Sequence, residues 1–177
     1  MIETLITSKT RVKLLLKFFL NSNTKSYLRN LESEFGDSTN AIRQELNRLE
    51  GAGLLSSEKK GNKKLFQANM LHPLFGDLQN IIKKFVGIDQ IIERIVERVG
   101  NVDRVYLEGE LARGIDSDVV DLVLIGETIN RAYLTSLIEK IEPILGKHIR
   151  YVIKNKEEAT KYLVTKNESF LIWNKSC

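Results

Sequence analysis

Residues 39–69 read TNAIRQELNRLEGAGLLSSEKKGNKKLFQAN, and the hydrophobic period changes partway through. In the first half, Ile42, Leu46 and Leu49 recur at the spacing of one helical face. Ser38 stands ahead of them and Gly53 suits a C-terminal stop, so a helix is predicted from about Ser38 to Ala52. Then the period drops to two. Leu54–Lys60 and Lys63–Asn69 predict strands, and Gly61-Asn62 between them is a hairpin signal.

Two more helices are predicted upstream. Val12, Leu15, Leu16, Phe19 and Leu20 make a buried stripe over 8–21, with Ser8 as N-cap. Leu28, Leu31 and Phe35 predict a helix over 26–35, ended by Gly36. The order by residue 69 is helix, helix, helix, hairpin.

At 100° per residue, the third helix presents Asn40, Arg43, Gln44, Asn47 and Arg48 opposite its apolar stripe. Those types suit the major groove, where Arg pairs with guanine and Asn or Gln with adenine. Ser38 and Thr39 stand at the same helix start, and Lys59, Lys60, Lys63 and Lys64 surround the hairpin tip. Lysines there would meet phosphates or a minor groove. Each feature alone also suits a solvated helix or a guarded strand edge. Taken with the helix order, the run TNAIRQELNRLEGAGLL resembles the recognition-helix-to-wing passage of bacterial winged helix-turn-helix regulators, over roughly residues 8–70. The resemblance implies double-stranded DNA as partner, read by a homodimer on two half-sites.

Charge agrees with that placement. The net charge is +4, but residues 1–72 carry 12 Lys/Arg against 7 Asp/Glu, so the basic excess lies there. The 177 residues, 42% hydrophobic, suffice for one ordinary domain or two small ones. One cysteine, Cys177, makes no disulfide framework, and a reducing, cytoplasmic setting is expected. Charges interrupt every apolar run of MIETLITSKTRVK, unlike a signal peptide. No run approaches the ~18 apolar residues of a membrane span, so no membrane partner is expected. His72 and His148, with no cysteine cluster, make no zinc signature. Gly51-Ala52-Gly53 precedes a strand from a helix end and is no dinucleotide fingerprint.

Residues 73–99 read as a helical connector. Leu74, Leu78, Ile81, Ile82 and Phe85 form one stripe, Gly87 breaks it, and Ile88, Ile91, Ile92, Ile95, Val96 and Val99 form another. These stripes can pack within their own domains or form a dimer seam. The expected domains are 1–72, 73–99 and 100–177, with the boundary inside 73–87. Beyond Gly100-Asn101, which should close the second helix, the pattern is α/β. It predicts strands at Val102–Leu107, Val119–Ile125 and Ile149–Lys154, and helices at Asn130–Ile141 and 156–164. A short C-terminal helix should contain Phe170 to Trp173, with Trp173 as a docking residue.

The run LEGELARGIDSDVVDLVLIGE, residues 107–127, resembles the start of a minimal nucleotidyltransferase domain of the polymerase-beta-like superfamily. LGKHIRYVIKNKEEATKYLVTKNESFLIW, residues 145–173, is similar to the tails of a bacterial group that joins a winged helix to such a domain. The resemblance spans Val102 to Trp173. It implies a two-domain α+β and α/β chain, an N-terminal winged helix followed by a nucleotidyltransferase-like mixed sheet with helices.

Family members hold a triphosphate on a Gly-Ser turn and metal ions on Asp-x-Asp. Here the turn is Gly109-Glu110, and a carboxylate in the serine position would repel phosphate. Anchoring on DLVLIG puts Val119 and Asp121 at the two metal positions. Residues i and i+2 of a strand share a face, and valine offers no oxygen to a hard cation. Asp118, three residues from Asp121, falls on the other face unless a bulge intervenes. The position of a third family acid is taken by Arg150 or Tyr151.

Asp121 should therefore be a structural relic paired with Arg113, within a vestigial site of Gly109, Glu110, Arg113, Asp118 and Asp121. The expected function is a DNA-binding transcriptional regulator with no catalytic residues, no metal and no cofactor, its C-terminal domain serving dimerisation, a protein partner or ligand sensing. Two alternatives stay open. One is an active nucleotidyltransferase, using Mg²⁺ and a nucleoside triphosphate, targeted by its winged helix. The other is a protein-interaction module.

Overall fold

Ser8 opens the first helix by accepting the Arg11 N–H on its hydroxyl at 3.2 Å. Helix α1, Lys9–Leu15, runs into a π-helical turn, Leu16–Leu20, all of whose residues are buried. The computed structural model describes residues 6–165 and 169–175; Cys177 lies outside them. Helices α2 (Leu28–Phe35) and α3 (Thr39–Gly51) follow, with left-handed Gly36 closing α2. Ser38 caps α3 by accepting the Ala41 N–H at 3.3 Å, a contact of about 1 kcal/mol. After α3 the Leu54 N–H returns to the Leu49 carbonyl at 2.9 Å, and Gly53 takes a φ of 74°. That reversal delivers the chain into the hairpin.

Strands β2 (Leu55–Lys60) and β3 (Lys63–Ala68) pair in register from Leu55↔Ala68 to Lys60↔Lys63. Gly61 supplies a φ of 62° at the first turn position, as a type II′ hairpin asks. The sequence pattern missed strand β1, Lys25–Tyr27, which pairs with β3 to give the order β1-β3-β2. The helix predicted from residue 26 therefore starts at Leu28. Ile42, Leu46 and Leu49 of α3 are buried in this unit, as are Phe18, Phe19 and Leu31.

The chain divides into two units: residues up to Val86 with Gly114–Asp116, and Gly87–Arg113 with the residues from Ser117 on. The stretch 73–99 is thus shared. Helix α4, Phe75–Val86, goes with the first unit, and α5, Ile88–Arg98, with the second.

The second unit is a mixed four-stranded sheet in the order β6-β5-β4-β7. Its strands are β4 (Gly100–Glu108), β5 (Val119–Ile129), β6 (His148–Lys154) and β7 (Phe170–Asn174). Strand β4 is antiparallel to β5 and β7, whereas β5 and β6 are parallel. A parallel pair needs a crossover, here helix α7, Arg131–Leu145. Asn130 caps α7 by accepting the Tyr133 N–H at 3.0 Å. A one-turn helix α6, Gly109–Ala112, joins β4 towards β5. Helix α8, Lys156–Thr165, begins with reciprocal Asn155 and Glu158 side-chain bonds to each other's backbone N–H, at 2.8 and 3.2 Å.

Two predictions are corrected here. Gly100 and Asn101 do not close a helix; they begin β4. Phe170–Trp173 is not helical; it is the edge strand β7, paired with β4 through Val105↔Trp173 and Leu107↔Phe170. Val120, Leu122 and Leu124 are fully or nearly buried on one sheet face. The other face carries Tyr106, Val123 and Ile125, covered by Ala159, Tyr162 and Leu163 of α8.

Candidate functional site

Two surfaces gather chemistry, one in each unit. In the first, the buried side of α3 fixes what its other side can offer. Asn40, Arg43, Gln44, Asn47 and Arg48 are all exposed, on the face opposite Ile42, Leu46 and Leu49. Ser38 and Thr39 are occupied within the fold: Ser38 as the cap and Thr39 through a 2.5 Å bond to Glu32. Arg48 is partly committed, reaching buried Glu45 at 3.2 Å, while Arg11 of α1 holds the same carboxylate at 2.8 Å. Burial opposes the charge on Glu45, but hydrogen bonds from Arg11 and Ser8 and attraction from both arginines outweigh it and lower its pKa.

Lys59, Lys60, Lys63 and Lys64 are exposed around the hairpin tip. Register sets Lys59 opposite Lys64 and Lys60 opposite Lys63. Like charges directly opposed on neighbouring strands are destabilising. Lys64 is relieved by Glu50 at 3.1 Å, with its ammonium 5.9 Å from the Phe66 ring centre. Hydrogen bonds from Ser57 and Lys64 keep Glu50 ionised, holding its pKa below the ordinary value.

Between helix and hairpin lies a groove of about 610 Å³, into which Arg43, Asn47, Lys63 and Lys64 converge. Arg29 and Asn30, from the start of α2, join them. Sequence reasoning missed these two, because they follow the β1 strand that it did not see.

In the second unit, Asp121 sits in β5 between three neighbours fixed by register. Glu108 of β4 stands opposite it, Arg150 of β6 stands beside it, and Val119 precedes it by two residues. The partner of Asp121 is Arg150, not Arg113: Nε and one terminal nitrogen donate to the two carboxylate oxygens at 2.7 and 2.9 Å. The bonds to Asp121 and its charge raise the pKa of Arg150, with a smaller contribution from Glu110. Arg113 instead forms the C-terminal cap of α6.

Asp121 is half-buried rather than isolated in apolar surroundings. Glu108 is the second carboxylate on this face, and the sequence reading overlooked it. It is buried and accepts hydrogen bonds from Tyr162 at 2.9 Å and Ser169 at 2.6 Å. Glu110 and Asp118 are exposed, and the Asp118 carbonyl accepts the His148 N–H at 2.7 Å.

Gly109 has a φ of 70°, and a Cβ there would collide with the Asp121 carboxylate. The turn and the strand aspartate therefore fit each other as they stand. Among the described residues no group of three or more His, Cys, Asp or Glu side chains is placed to hold a metal ion. None of their helices is long and apolar enough to cross a membrane.

No family model matches the chain, and no curated protein matches it. Among solved structures, an Archaeoglobus fulgidus protein is similar over 52% of this chain and 98% of its own, at 16% identity and a TM-score of 0.39. A candidate nucleotidyltransferase from Sulfolobus solfataricus is similar over 60% of this chain and 94% of its own, at 16% identity and a TM-score of 0.37. Likeness at that level assigns neither a family nor an activity.

Proposed function

We propose that this chain is a DNA-binding regulator: a winged helix-turn-helix reader followed by a nucleotidyltransferase-like domain that no longer holds a catalytic metal. The observation carrying the DNA reading is the convergence of Arg29, Arg43, Asn47, Lys63 and Lys64 on one groove from three elements. Helix α3 would lie in the major groove, with Arg43, Gln44 and Asn47 at base edges. Lys60 and Lys63 would meet phosphate, where the repulsion between them is relieved. Reading two half-sites would take two copies of the chain.

The loss of catalysis is supported by the ion pair at Asp121. A divalent cation needs open oxygen ligands. Here both Asp121 oxygens are engaged by a guanidinium, and Val119 supplies none. A resident arginine thus provides the positive charge that a metal would.

Binding of the intact chain to duplex DNA, measured against salt, tests the reading. Affinity should fall steeply with salt, and Lys63→Ala should reduce the log–log slope by about one. Arg43→Ala should cost about 1–3 kcal/mol and relax preference at one base position. Binding no tighter than that of an unrelated basic protein, insensitive to both substitutions, would reject it. Magnesium-dependent nucleotide transfer that disappears in Asp121→Asn would reject the catalytic half.

A further inference from the structure

A second cavity lies on the α8-covered face of the sheet, away from Asp121. It occupies about 720 Å³ beside Asp103 and Arg104 of β4, Ile125 of β5 and Asn174 of β7. In β4 it starts four residues from Glu108, roughly 13 Å along the strand. Its lining combines apolar Ile125, Ala159 and Leu163 with the cations Arg104, Lys156 and Lys175.

The cavity is built rather than incidental. Arg104 pairs with Asn174 across the strands, and the Lys175 N–H donates to the Asp103 carbonyl at 2.9 Å. The Lys175 ammonium donates to Asn101 at 2.7 Å, which uses one of its three protons. Asp103 Oδ2 is buried and, among the described residues, has no hydrogen-bond partner; Lys156 faces it as an ion pair at 3.4 Å. A buried carboxylate oxygen without a donor is costly, and the Lys156 charge offsets part of that cost.

We propose that this cavity binds a small phosphate ester of about the size of a nucleoside monophosphate. Three cations against one carboxylate leave a surplus suited to a dianion. Arg104 and Lys175 would hold the phosphate, and a ligand hydroxyl or amine would donate to the Asp103 carboxylate, whose side chain keeps 21% exposure. The apolar body would rest on Ile125 and Leu163. The volume falls in the range of small-molecule sites, ~300–1,000 Å³. This inference goes beyond DNA reading and does not depend on it, although such a ligand would give a regulator its signal.

The test is titration calorimetry of the full chain with AMP, adenosine and inorganic phosphate. AMP should bind, adenosine at least about tenfold more weakly, and Lys175→Ala and Arg104→Ala should each lower AMP affinity about tenfold. Asp103→Ala should weaken AMP while leaving phosphate binding intact or stronger. Thermal melts of each variant confirm folding, and Lys9→Ala, an exposed lysine of α1 in the other unit, should leave AMP binding unchanged. The proposal is overturned if neither AMP nor phosphate binds. It is equally overturned if AMP binding survives both Lys175→Ala and Arg104→Ala, or is lost in Arg150→Ala but not in those variants.

Discussion

Arg150 grips Asp121 at two points, Nε and a terminal nitrogen donating to the two carboxylate oxygens at 2.7 and 2.9 Å, across a parallel strand pair. This is the geometry in which arginine recognises a carboxylate most firmly. Here it keeps a fixed organic cation where the sheet could otherwise assemble acids around an inorganic one.

The first prediction follows from that exchange. Replacing Arg150 with Asp and Val119 with Asp places three carboxylates on neighbouring positions of one face, with Asp121 between them. The double variant should gain Mn²⁺ or Mg²⁺ binding by calorimetry. Arg150→Ala alone should leave the denaturation midpoint nearly unchanged, because the arginine is largely exposed. Equal metal affinity in the wild type and the double variant would sink the argument.

At the hairpin tip, binding and stability should pull in opposite directions. Lys60→Glu removes the repulsion with Lys63 and should stabilise the free protein by ~0.2–1 kcal/mol. The same change should weaken DNA binding and flatten its salt dependence. Denaturant midpoints and salt titrations on one preparation check both arms.

Acid should loosen the first unit. Glu45 and Glu50 have folded pKa values below 4.5, their ordinary value, and Asp37 has one below 3.8. In Asp37, burial opposes the charge, and bonds from Lys13 and Thr10 overcome it. Depressed values mean that the folded state binds fewer protons. The stabilisation is therefore complete above those ordinary values and is lost as pH falls through the folded ones. Melting temperature should drop as pH goes from about 5 towards 3, and less steeply in Glu45→Gln. A parallel pair of curves would show that Glu45 is not responsible.

Helix α4 presents Ile81 at 50% exposure, and Leu71 and Leu74, just before the helix, are 94% and 54% exposed. Three large apolar side chains exposed within eleven residues suit a second copy of the chain. Leu74→Glu with Ile81→Glu should convert a dimer to a monomer in sedimentation and weaken binding to paired half-sites more than to single ones. A wild-type chain that sediments as a monomer at every concentration would remove this expectation.

Periodicity made α3 and the β2–β3 hairpin legible, because their apolar residues recur at 3.6 and 2 along the chain. It failed where pairing partners are remote. Strand β1 has three residues, Lys-Ser-Tyr, and exists through its register with Leu65–Gln67. Phe170–Trp173 is a continuous apolar run without a period, so only its pairing with β4 makes it a strand. Arg113 was the nearer arginine to Asp121 in sequence, whereas Arg150 reaches it through parallel pairing 29 residues away. Glu108 was invisible for the same reason, since its position opposite Asp121 belongs to the sheet.

Glu45 has two arginines, half-buried Arg11 from α1 and Arg48 from the exposed side of its own helix. A phosphate that draws Arg48 away leaves the carboxylate still satisfied by Arg11. Helix α3 can therefore lend Arg48 to a polyanion without stranding a buried charge, so the helix can keep its footing while one of its side chains changes allegiance.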